Sequence, residues 1–523
     1  MSSAVITENK LLVTIKASGA KWNEDLDVAR SLNDRLFISA TRVWEAPATQ
    51  ENISILFDAG FDLCEKALQA LSAPPQEEKP YEERVAKRFV KNPIVAKELF
   101  AVQNSHAQRL VYDLETNGAA LDASDTGTGK TYSALGIARY MGLFPIVITP
   151  KSVIPGWKSV AKKFGIDCYV NNYEQYKGNH SSYVTVNNSG SRISFKWNLP
   201  EKALVIFDEV HRCKNPSTIN AKMLTSLIKQ DVKVLGLSAT IAENPVQMYA
   251  IGTILRLFNS YPGYWRWAKE RGVFKGYWGM EFTSTKENMI KIHNDIFPEK
   301  GSRLRTTDFG DLFPETRIIS EPIGMDNSEK IQQAYERMDA EIGRLHDKMK
   351  EDTSATLLTR ILRERQRIEL LKVPSIVEMA EDLVEEGNSV AIFVNFKETV
   401  DALSTRLKTT CIIDGRVKDE AREMNRADFQ EDRQRIIICN TAAGGVGISL
   451  HDIRGEFPRF SLISPTYSAV DFIQVLGRLP RANAKSKVVQ RILFCAGTKE
   501  EEVAARVAKK VENIEAVNNG DLA

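Results

Sequence analysis

The stretch that decides the fold is Ser124-Asp-Thr-Gly-Thr-Gly-Lys-Thr131, which follows a short apolar run, residues 119–123, and opens a helical segment. Glycines in such a loop let backbone N–H groups converge on phosphate oxygens, and the N-terminus of the helix adds positive potential. A chance glycine-rich turn is the alternative. The strand before the loop and the helix after it favour a phosphate-binding loop.

Two side chains of this loop have separate expected roles. Lys130 would reach the β and γ phosphates of a nucleotide, and the Thr131 hydroxyl would ligate Mg²⁺. The loop therefore predicts ATP and Mg²⁺ as cofactors. The loop residues expected to hold the nucleotide are Thr126, Gly127, Thr128, Gly129, Lys130 and Thr131.

Continuous apolar runs alternate with helical patterns in two parts of the chain. A parallel sheet that is covered on both faces requires such runs. The sequence therefore predicts an α/β fold with two parallel-sheet lobes in tandem, preceded by a small α+β domain. The runs are residues 144–149, 203–207 and 232–237 in the first part, and 390–394, 435–439 and 460–464 in the second.

The domain organisation is predicted from a proline-rich, charged stretch at residues 72–80 and from changes in composition. Four segments are expected. They are a small accessory domain at 1–80, the first, ATP-binding lobe at 81–260, an irregular aromatic-rich segment with a charged helical linker at 261–371, and the second lobe with a C-terminal helix at 372–523.

Composition limits the class of protein. The chain has 523 residues, and its 70 Lys and Arg against 68 Asp and Glu exclude a uniformly basic coat but not a local basic track for nucleic acid. The six cysteines form no close pairs, which argues against a zinc cluster or disulfide framework. No apolar run approaches the ~18 residues of a membrane span, and no signal peptide is evident. We expect a monomeric protein without a membrane partner, not secreted, in a bacterial or viral-host cytoplasm or a eukaryotic nucleus.

A pair of carboxylates follows one predicted strand, in Asp208-Glu-Val-His211. At the end of a strand such a pair suits divided roles: Asp208 holds the hydrated Mg²⁺, and Glu209 orients and deprotonates the attacking water. Alone, an acidic pair here is more often a helix N-cap. The phosphate loop upstream favours the catalytic interpretation.

An arginine pair stands near the C-terminus, in Gln474-Val-Leu-Gly-Arg-Leu-Pro-Arg481. Arg478 and Arg481 lie on one side of a helix turn, and a buried pair that faces another lobe suits the charge developing on a γ-phosphate. Surface salt bridges are the alternative. Together with the two earlier motifs, the segment predicts that Gln474, Arg478 and Arg481 complete a catalytic site.

These three motifs, in this order and at this spacing, resemble those of superfamily 2 helicases and translocases. The resemblance implies two RecA-like lobes with ATP between them and an ATPase activity that depends on nucleic acid. It also implies that Gln108 reads the adenine, with Gln103 as the less favoured substitute. Leu237-Ser-Ala-Thr240 is similar to the segment that couples hydrolysis to nucleic-acid contact.

The segment Thr441-Ala-Ala-Gly-Gly-Val-Gly-Ile-Ser-Leu450 resembles the family motif that contacts both the strand and the nucleotide. By this resemblance Gly447 belongs to the nucleotide site. Contacts to backbone phosphates are independent of sequence and sensitive to salt. The residues expected to make them are Lys151, Ser152, Thr441 and Gly444.

Within the superfamily the chain is similar to the Swi/Snf-type branch of duplex-DNA translocases. It departs from that branch where Ser238-Ala-Thr240 replaces Thr-Gly-Thr. Arg42-Val-Trp-Glu45, ahead of an amphipathic helix, resembles the HARP module of annealing helicases, which engages branched DNA; a domain that only stabilises the first lobe is the alternative. The segments similar to the branch are Asp208-Glu-Val-His-Arg-Cys-Lys-Asn-Pro-Ser217, Thr149-Pro-Lys-Ser152 with Trp157, Asn172-Tyr-Glu174 and Ala443-Gly-Gly-Val-Gly447.

Aromatic residues concentrate between the two lobes. They favour either base stacking and strand separation or the packing of an irregular subdomain. The aromatic residues are Tyr261, Tyr264, Trp265, Trp267, Tyr277 and Trp278.

The motifs and the resemblance together predict an ATP-dependent translocase or helicase that remodels branched DNA by fork reversal, branch migration or annealing. A strand-unwinding DNA or RNA helicase and an ATPase that displaces proteins from DNA are the alternatives.

Overall fold

The structure is a computed structural model, and its described residues form two compact units. The first takes in Met1–Val90 and Arg256–Val273, and the second Lys91–Leu255 and Phe274–Ala523. The described residues are 2–7, 10–32, 35–38, 41–72, 79–190, 192–230, 232–258, 260–276, 279–283, 285–348, 354–444, 448–466 and 468–505.

The first unit is a small α+β domain. Its N-terminal elements are β1 (Ser3–Thr7), β2 (Lys10–Thr14), α1 (Ala20–Ser31), β3 (Leu36–Ile38), β4 (Val43–Pro47), α2 (Gln50–Asp58), β5 (Asp62–Leu63), α3 (Glu65–Ser72) and α4 (Tyr81–Phe89). The sheet order is β3-β4-β2-β1-β5, antiparallel except for the β1–β5 pair. Leu11 and Val13 of β2 are buried and Lys10 is exposed, the alternation of a sheet with one covered face.

The first lobe of the second unit begins at α5. Its elements are α5 (Ala101–Asn117), β6 (Ala119–Asp122), α6 (Lys130–Tyr140), β7 (Phe144–Thr149), α7 (Ile154–Phe164), β8 (Tyr169–Asn172), α8 (Tyr173–Lys177), β9 (Val184–Ser189), β10 (Arg192–Trp197), β11 (Ala203–Asp208), α9 (Ile219–Thr225), β12 (Lys233–Leu237) and α10 (Tyr249–Ile254). The chain continues through α11 (Tyr261–Glu270), which belongs to the first unit, and then β13 (Val273–Gly276), β14 (Gly279–Phe282), α12 (Lys286–Ile296) and β15 (Gly301–Ser302).

This lobe has a six-stranded sheet in the order β15-β6-β12-β11-β7-β8. All neighbouring strands are parallel. Every residue of β11 is buried, which explains its continuous apolar run. Because the strands are parallel, the loops that follow β6, β7 and β11 leave the sheet at the same edge.

The second lobe repeats this architecture. Its elements are β16 (Thr316–Ile319), α13 (Ser328–Lys348), α14 (Ser354–Leu371), α15 (Val373–Glu385), β17 (Ser389–Val394), α16 (Lys397–Leu407), β18 (Ile412–Ile413), α17 (Asp419–Gln430), β19 (Ile436–Asn440), α18 (Thr441–Gly444), β20 (Arg459–Ile463), α19 (Ala469–Leu476) and β21 (Val488–Ile492). The sheet order is β16-β21-β20-β17-β19-β18, and all pairs are parallel.

The predicted fold class is confirmed, because both sheets are parallel and the apolar runs form their strands. The four predicted domain ranges stay predictions. Compactness instead places α4 and α11 in the first unit, with the N-terminal sheet, and places both lobes in the second unit. The last 18 residues of the predicted second lobe, from residue 506 onward, and with them most of its C-terminal helix, lie outside the described residues. Among the helices that the structure describes, none combines the length and apolar character needed to cross a membrane.

Candidate active site

The phosphate loop joins β6 to α6 and forms one wall of a cleft of about 490 Å³ between the two lobes. Gly127 and Gly129 have φ angles of 88° and 87°, a region that favours glycine. Residues 126–132 line the cleft, so the loop residues predicted to hold the nucleotide, from Thr126 to Thr131, all face it.

Lys130 lies over its own loop. Its Nζ donates to the carbonyl oxygens of Ser124 and Asp125, at 2.8 and 3.0 Å. Burial lowers the pKa of Lys130 below its ordinary value, and the charges of nearby carboxylates act in the opposite direction. The ammonium is therefore held where phosphate oxygens could replace two backbone carbonyls.

Asp208 ends β11 and is fixed from the neighbouring parts of the first lobe. Its Oδ2 accepts hydrogen bonds from Thr149 Oγ1 and Trp157 Nε1, both at 2.8 Å. Burial, followed by the charge of Glu209, raises the pKa of Asp208 to about 6. In the sequence, Thr149 and Trp157 are marked only by the resemblance of their segment to the family branch. Thr149 ends the neighbouring strand β7 and Trp157 lies on α7, the helix that follows it, and these positions are the signal that they support this carboxylate.

Glu209 carries a φ of 55°, an uncommon value for a residue with a side chain. This turn directs its carboxylate into the cleft, where Oε2 lies 3.3 Å from His211 Nδ1 and 3.3 Å from Gln474 Nε2. His211 in turn lies 2.9 Å from Ser238 Oγ. Burial lowers the pKa of His211 to about 3, so its ring is neutral. Glu209 is thus linked to the predicted coupling segment and to the second lobe.

The second lobe supplies the arginines. Nη1 of Arg478 and Nη2 of Arg481 donate to the carbonyl of Ile448, at 3.1 and 3.3 Å. Burial lowers the pKa of Arg478 to about 10. Burial and the positive charge of the neighbouring Arg478 together lower the pKa of Arg481 to about 9. Both guanidiniums stay charged at neutral pH and line the cleft opposite the phosphate loop.

Two glycines allow the lobes to approach closely. A Cβ atom at Gly127 would lie 3.0 Å from Arg481 Cδ, and one at Gly477 would collide with Thr126 Oγ1. Gly477 follows α19, the helix that carries Gln474. The sequence contains both glycines but does not indicate that each one faces the other lobe.

The two glutamines considered for reading the adenine are placed differently in the structure. Gln103 lines the cleft, and its Nε2 donates to Thr128 O at 2.8 Å. Gln108 is not among the described residues that line the cleft, and its amide instead donates to Pro93 O. Both lie on α5, where five residues correspond to about 140° of rotation, so spacing along the chain alone could not select the side chain that faces the cleft.

The residues predicted to contact nucleic acid are placed unequally. Lys151 is exposed and pairs with Asp419 of the second lobe at 3.0 Å. Ser152 follows it in a 3-10 helix, Lys151–Val153. Thr441 is buried, and its hydroxyl donates to Val394 O at 3.2 Å, which differs from the predicted phosphate contact. Gly444 ends α18, and Gly447 lies outside the described residues.

Part of the aromatic cluster is core. Tyr264 and Trp267 are buried against Phe258, whereas Tyr261 is exposed over half of its surface. Tyr277 and Trp278 lie outside the described residues. Packing therefore accounts for two of the predicted stacking residues, and Tyr261 keeps an accessible ring.

Comparisons with known proteins agree with this geometry. A family model described as type III restriction enzyme, res subunit, matches residues 96–243, and one described as helicase conserved C-terminal domain matches residues 371–483. A protein of Acanthamoeba polyphaga mimivirus that is named as an ATP-dependent RNA helicase, L364, is 37% identical over 459 residues, covering 81% of this chain and 84% of that one.

Two further similarities are more distant. The Caenorhabditis elegans homolog of SWI/SNF-related matrix-associated actin-dependent regulator of chromatin subfamily A-like protein 1 is 24% identical, covering 81% of this chain and 62% of that one. The solved structure of S. cerevisiae Dbp5 bound to RNA and ADP BeF3 has 11% identity and a TM-score of 0.46, covering 84% and 92% of the two chains.

A phosphate loop on one parallel-sheet lobe, with arginines from a second lobe at the same cleft, defines the class of nucleic-acid-dependent ATPases. Within that class, the chain belongs to the superfamily 2 helicases and translocases.

Proposed function

We propose that this protein is an ATP-driven translocase that moves along duplex DNA and remodels branched DNA. The observation that carries the motor mechanism is the contact of Gln474 Nε2 with Glu209 Oε2, which joins the two lobes at the carboxylate expected to act as base. Closure around ATP brings Arg478 and Arg481 towards the γ-phosphate, and release reopens the cleft. Repeated closure between two phosphate grips moves the protein along one strand.

The donor set of the cleft fits Mg²⁺, which prefers oxygen ligands. Asp208 Oδ2 accepts hydrogen bonds from Thr149 and Trp157, so Oδ1 is the oxygen that would hold the metal. The hydroxyl of Thr131, which lines the same cleft, would be a second ligand. The ion, when bound, neutralises charge on the phosphates. Glu209 takes the proton of the attacking water, while Gln474 and His211 hold its carboxylate in position.

The preference for branched DNA is supported by the first unit. Burial lowers the pKa of Arg35, and the positive charges of Arg266 and Arg30 lower it further. Three like charges therefore lie near one another on a unit that also exposes Tyr261 and Trp22. Guanidinium groups suit the phosphates of nucleic acid, and accessible aromatic rings suit unpaired bases. The relative named as a SWI/SNF-related regulator of chromatin favours DNA over RNA as the track.

An RNA or strand-unwinding helicase is the second candidate, favoured by the name of the 37% identical relative. The test is the ATPase rate with single-stranded DNA, plain duplex, four-way-junction DNA and duplex RNA at matched phosphate concentration. We expect stimulation by duplex DNA and stronger stimulation by the junction. Stimulation by single strands or RNA alone would contradict the proposal and support the second candidate.

The arginine cluster provides a specific prediction. Arg266→Glu should weaken junction binding and reduce the slope of log affinity against log salt by about one, because one phosphate contact is lost. The measurement is junction affinity at several salt concentrations. Lys66→Glu, an exposed charge reversal on α3 of the same unit, is the matched control. Equal effects of the two variants would show that net charge, rather than this cluster, determines binding.

A further inference from the structure

His451 lies in the second lobe after the segment predicted to contact the strand and the nucleotide. It lines the same cleft as Lys130, together with Arg481 and Asn483 from its own lobe. Neither the motifs nor the proposed motor mechanism gives this side chain a role. Its hydrogen bonds determine which atom of the ring is available to a ligand.

The protonation of the ring follows from its neighbours on α17. Arg426 Nη1 donates to Gln430 Oε1, and because a guanidinium has no acceptor, this contact fixes the orientation of the Gln430 amide. The amide nitrogen then faces His451 Nδ1 at 3.1 Å and the His451 carbonyl oxygen at 3.4 Å. Since Nε2 of Gln430 can only donate, Nδ1 accepts. The network therefore assigns the ring proton to Nε2.

The ring is also kept neutral. Burial lowers the pKa of His451 to about 4, and the positive charges of Arg481, Arg459 and Arg426 act in the same direction, against Asp452. At physiological pH the imidazole thus has one N–H group, at Nε2. Since Gln430 occupies Nδ1, the Nε2 edge is the polar edge that remains for the cleft.

We propose that His451 recognises the ribose of ATP, with Nε2–H donating to a ribose hydroxyl. The inference rests on the proposed role of the cleft as the ATP site. The phosphates are already served by charged groups, Lys130 from one lobe and Arg478 and Arg481 from the other. A neutral single donor is suited to a neutral oxygen, and its contribution is that of an ordinary hydrogen bond.

The test compares KM values for ATP, 2′-deoxy-ATP, 3′-deoxy-ATP and GTP at saturating nucleic acid. The wild-type protein should favour ATP over one of the two deoxy nucleotides by about five- to tenfold, the value of one neutral hydrogen bond. His451→Ala should bring this ratio close to one by raising KM for ATP. His451→Gln, which keeps a donor, should restore part of the ratio.

Other outcomes would overturn the assignment. An equal rise in KM for ATP and both deoxy nucleotides would indicate a phosphate or structural role, and a changed ratio of ATP to GTP would indicate contact with the base. Gln430→Leu removes the partner that orients the ring but leaves His451 itself. It should lower the same ratio by a smaller amount, which keeps the inference testable if His451→Ala does not fold.

A parallel variant separates this inference from the proposed ATP site. Lys130→Ala should weaken the binding of all four nucleotides. If it does and His451→Ala leaves the ribose preference unchanged, the ribose inference alone is wrong. If Lys130→Ala binds ATP as the wild-type protein does, the proposed ATP site itself is wrong.

Discussion

Glu209→Gln should lower ATP turnover at saturating nucleic acid by about a hundred- to ten-thousandfold, the usual contribution of a general base. The amide has nearly the same shape as the carboxylate and remains beside Gln474 and His211. It cannot accept a proton from water, so the chemical step fails while the cleft keeps its form. The measurement is steady-state ATPase together with binding of a fluorescent ATP analogue, which should be retained.

Two comparisons make this prediction specific. Glu174→Gln removes an exposed carboxylate of the same lobe, which pairs with Lys177, and should leave turnover near the wild-type value. Lys130→Ala should weaken nucleotide binding, which Glu209→Gln should not. Wild-type turnover in Glu209→Gln would exclude Glu209 as the base.

Gly477→Ala should lower turnover by about a hundredfold or more, because the added methyl group meets Thr126 and prevents the lobes from closing. A displacement of catalytic groups by about 1 Å is enough for a loss of this size. Nucleotide binding to the phosphate loop should persist, since Thr126 itself is unchanged. The measurement is steady-state ATP turnover, compared with the affinity of the same variant for a fluorescent ATP analogue.

A compensating change tests the cause of this loss. Each of the nearest atoms to the added Cβ belongs to the Thr126 side chain, so Thr126→Gly should restore part of the turnover of Gly477→Ala. Gly415→Ala is the control, because a Cβ there has open space and φ is not in the left-handed region. Full turnover in Gly477→Ala would mean that hydrolysis does not use the closed arrangement of lobes seen here.

The phosphate loop and the carboxylate pair could be predicted in detail because each is a short segment with its own geometry. A strand, a glycine loop and a helix occupy adjacent residues, so Lys130 and Thr131 reach the cleft as expected. The same holds for the buried strands, whose apolar runs on β11 and β17 reflect burial of every residue.

Side chains on helices were harder to assign. Gln103 and Gln108 are both polar residues of α5, and their spacing from the loop does not tell how the helix is rotated about its axis. Packing against the sheet sets that rotation and turns Gln103 towards Thr128. The position of Thr441 differs from the predicted phosphate contact for a similar reason. Packing against β17 directs its hydroxyl to the carbonyl oxygen of Val394.

The sequence by itself determined the two parallel-sheet lobes and the phosphate loop, and it pointed to the residues of the cleft that are proposed to act in catalysis, because these depend on local periodicity and on motifs within single segments. Only the tertiary structure decided which groups meet across the cleft. The contact of Gln474 with Glu209 and the close approach of Gly477 to Thr126 each join residues far apart in the chain. Such contacts depend on how two sheets pack, and no local pattern encodes that distance.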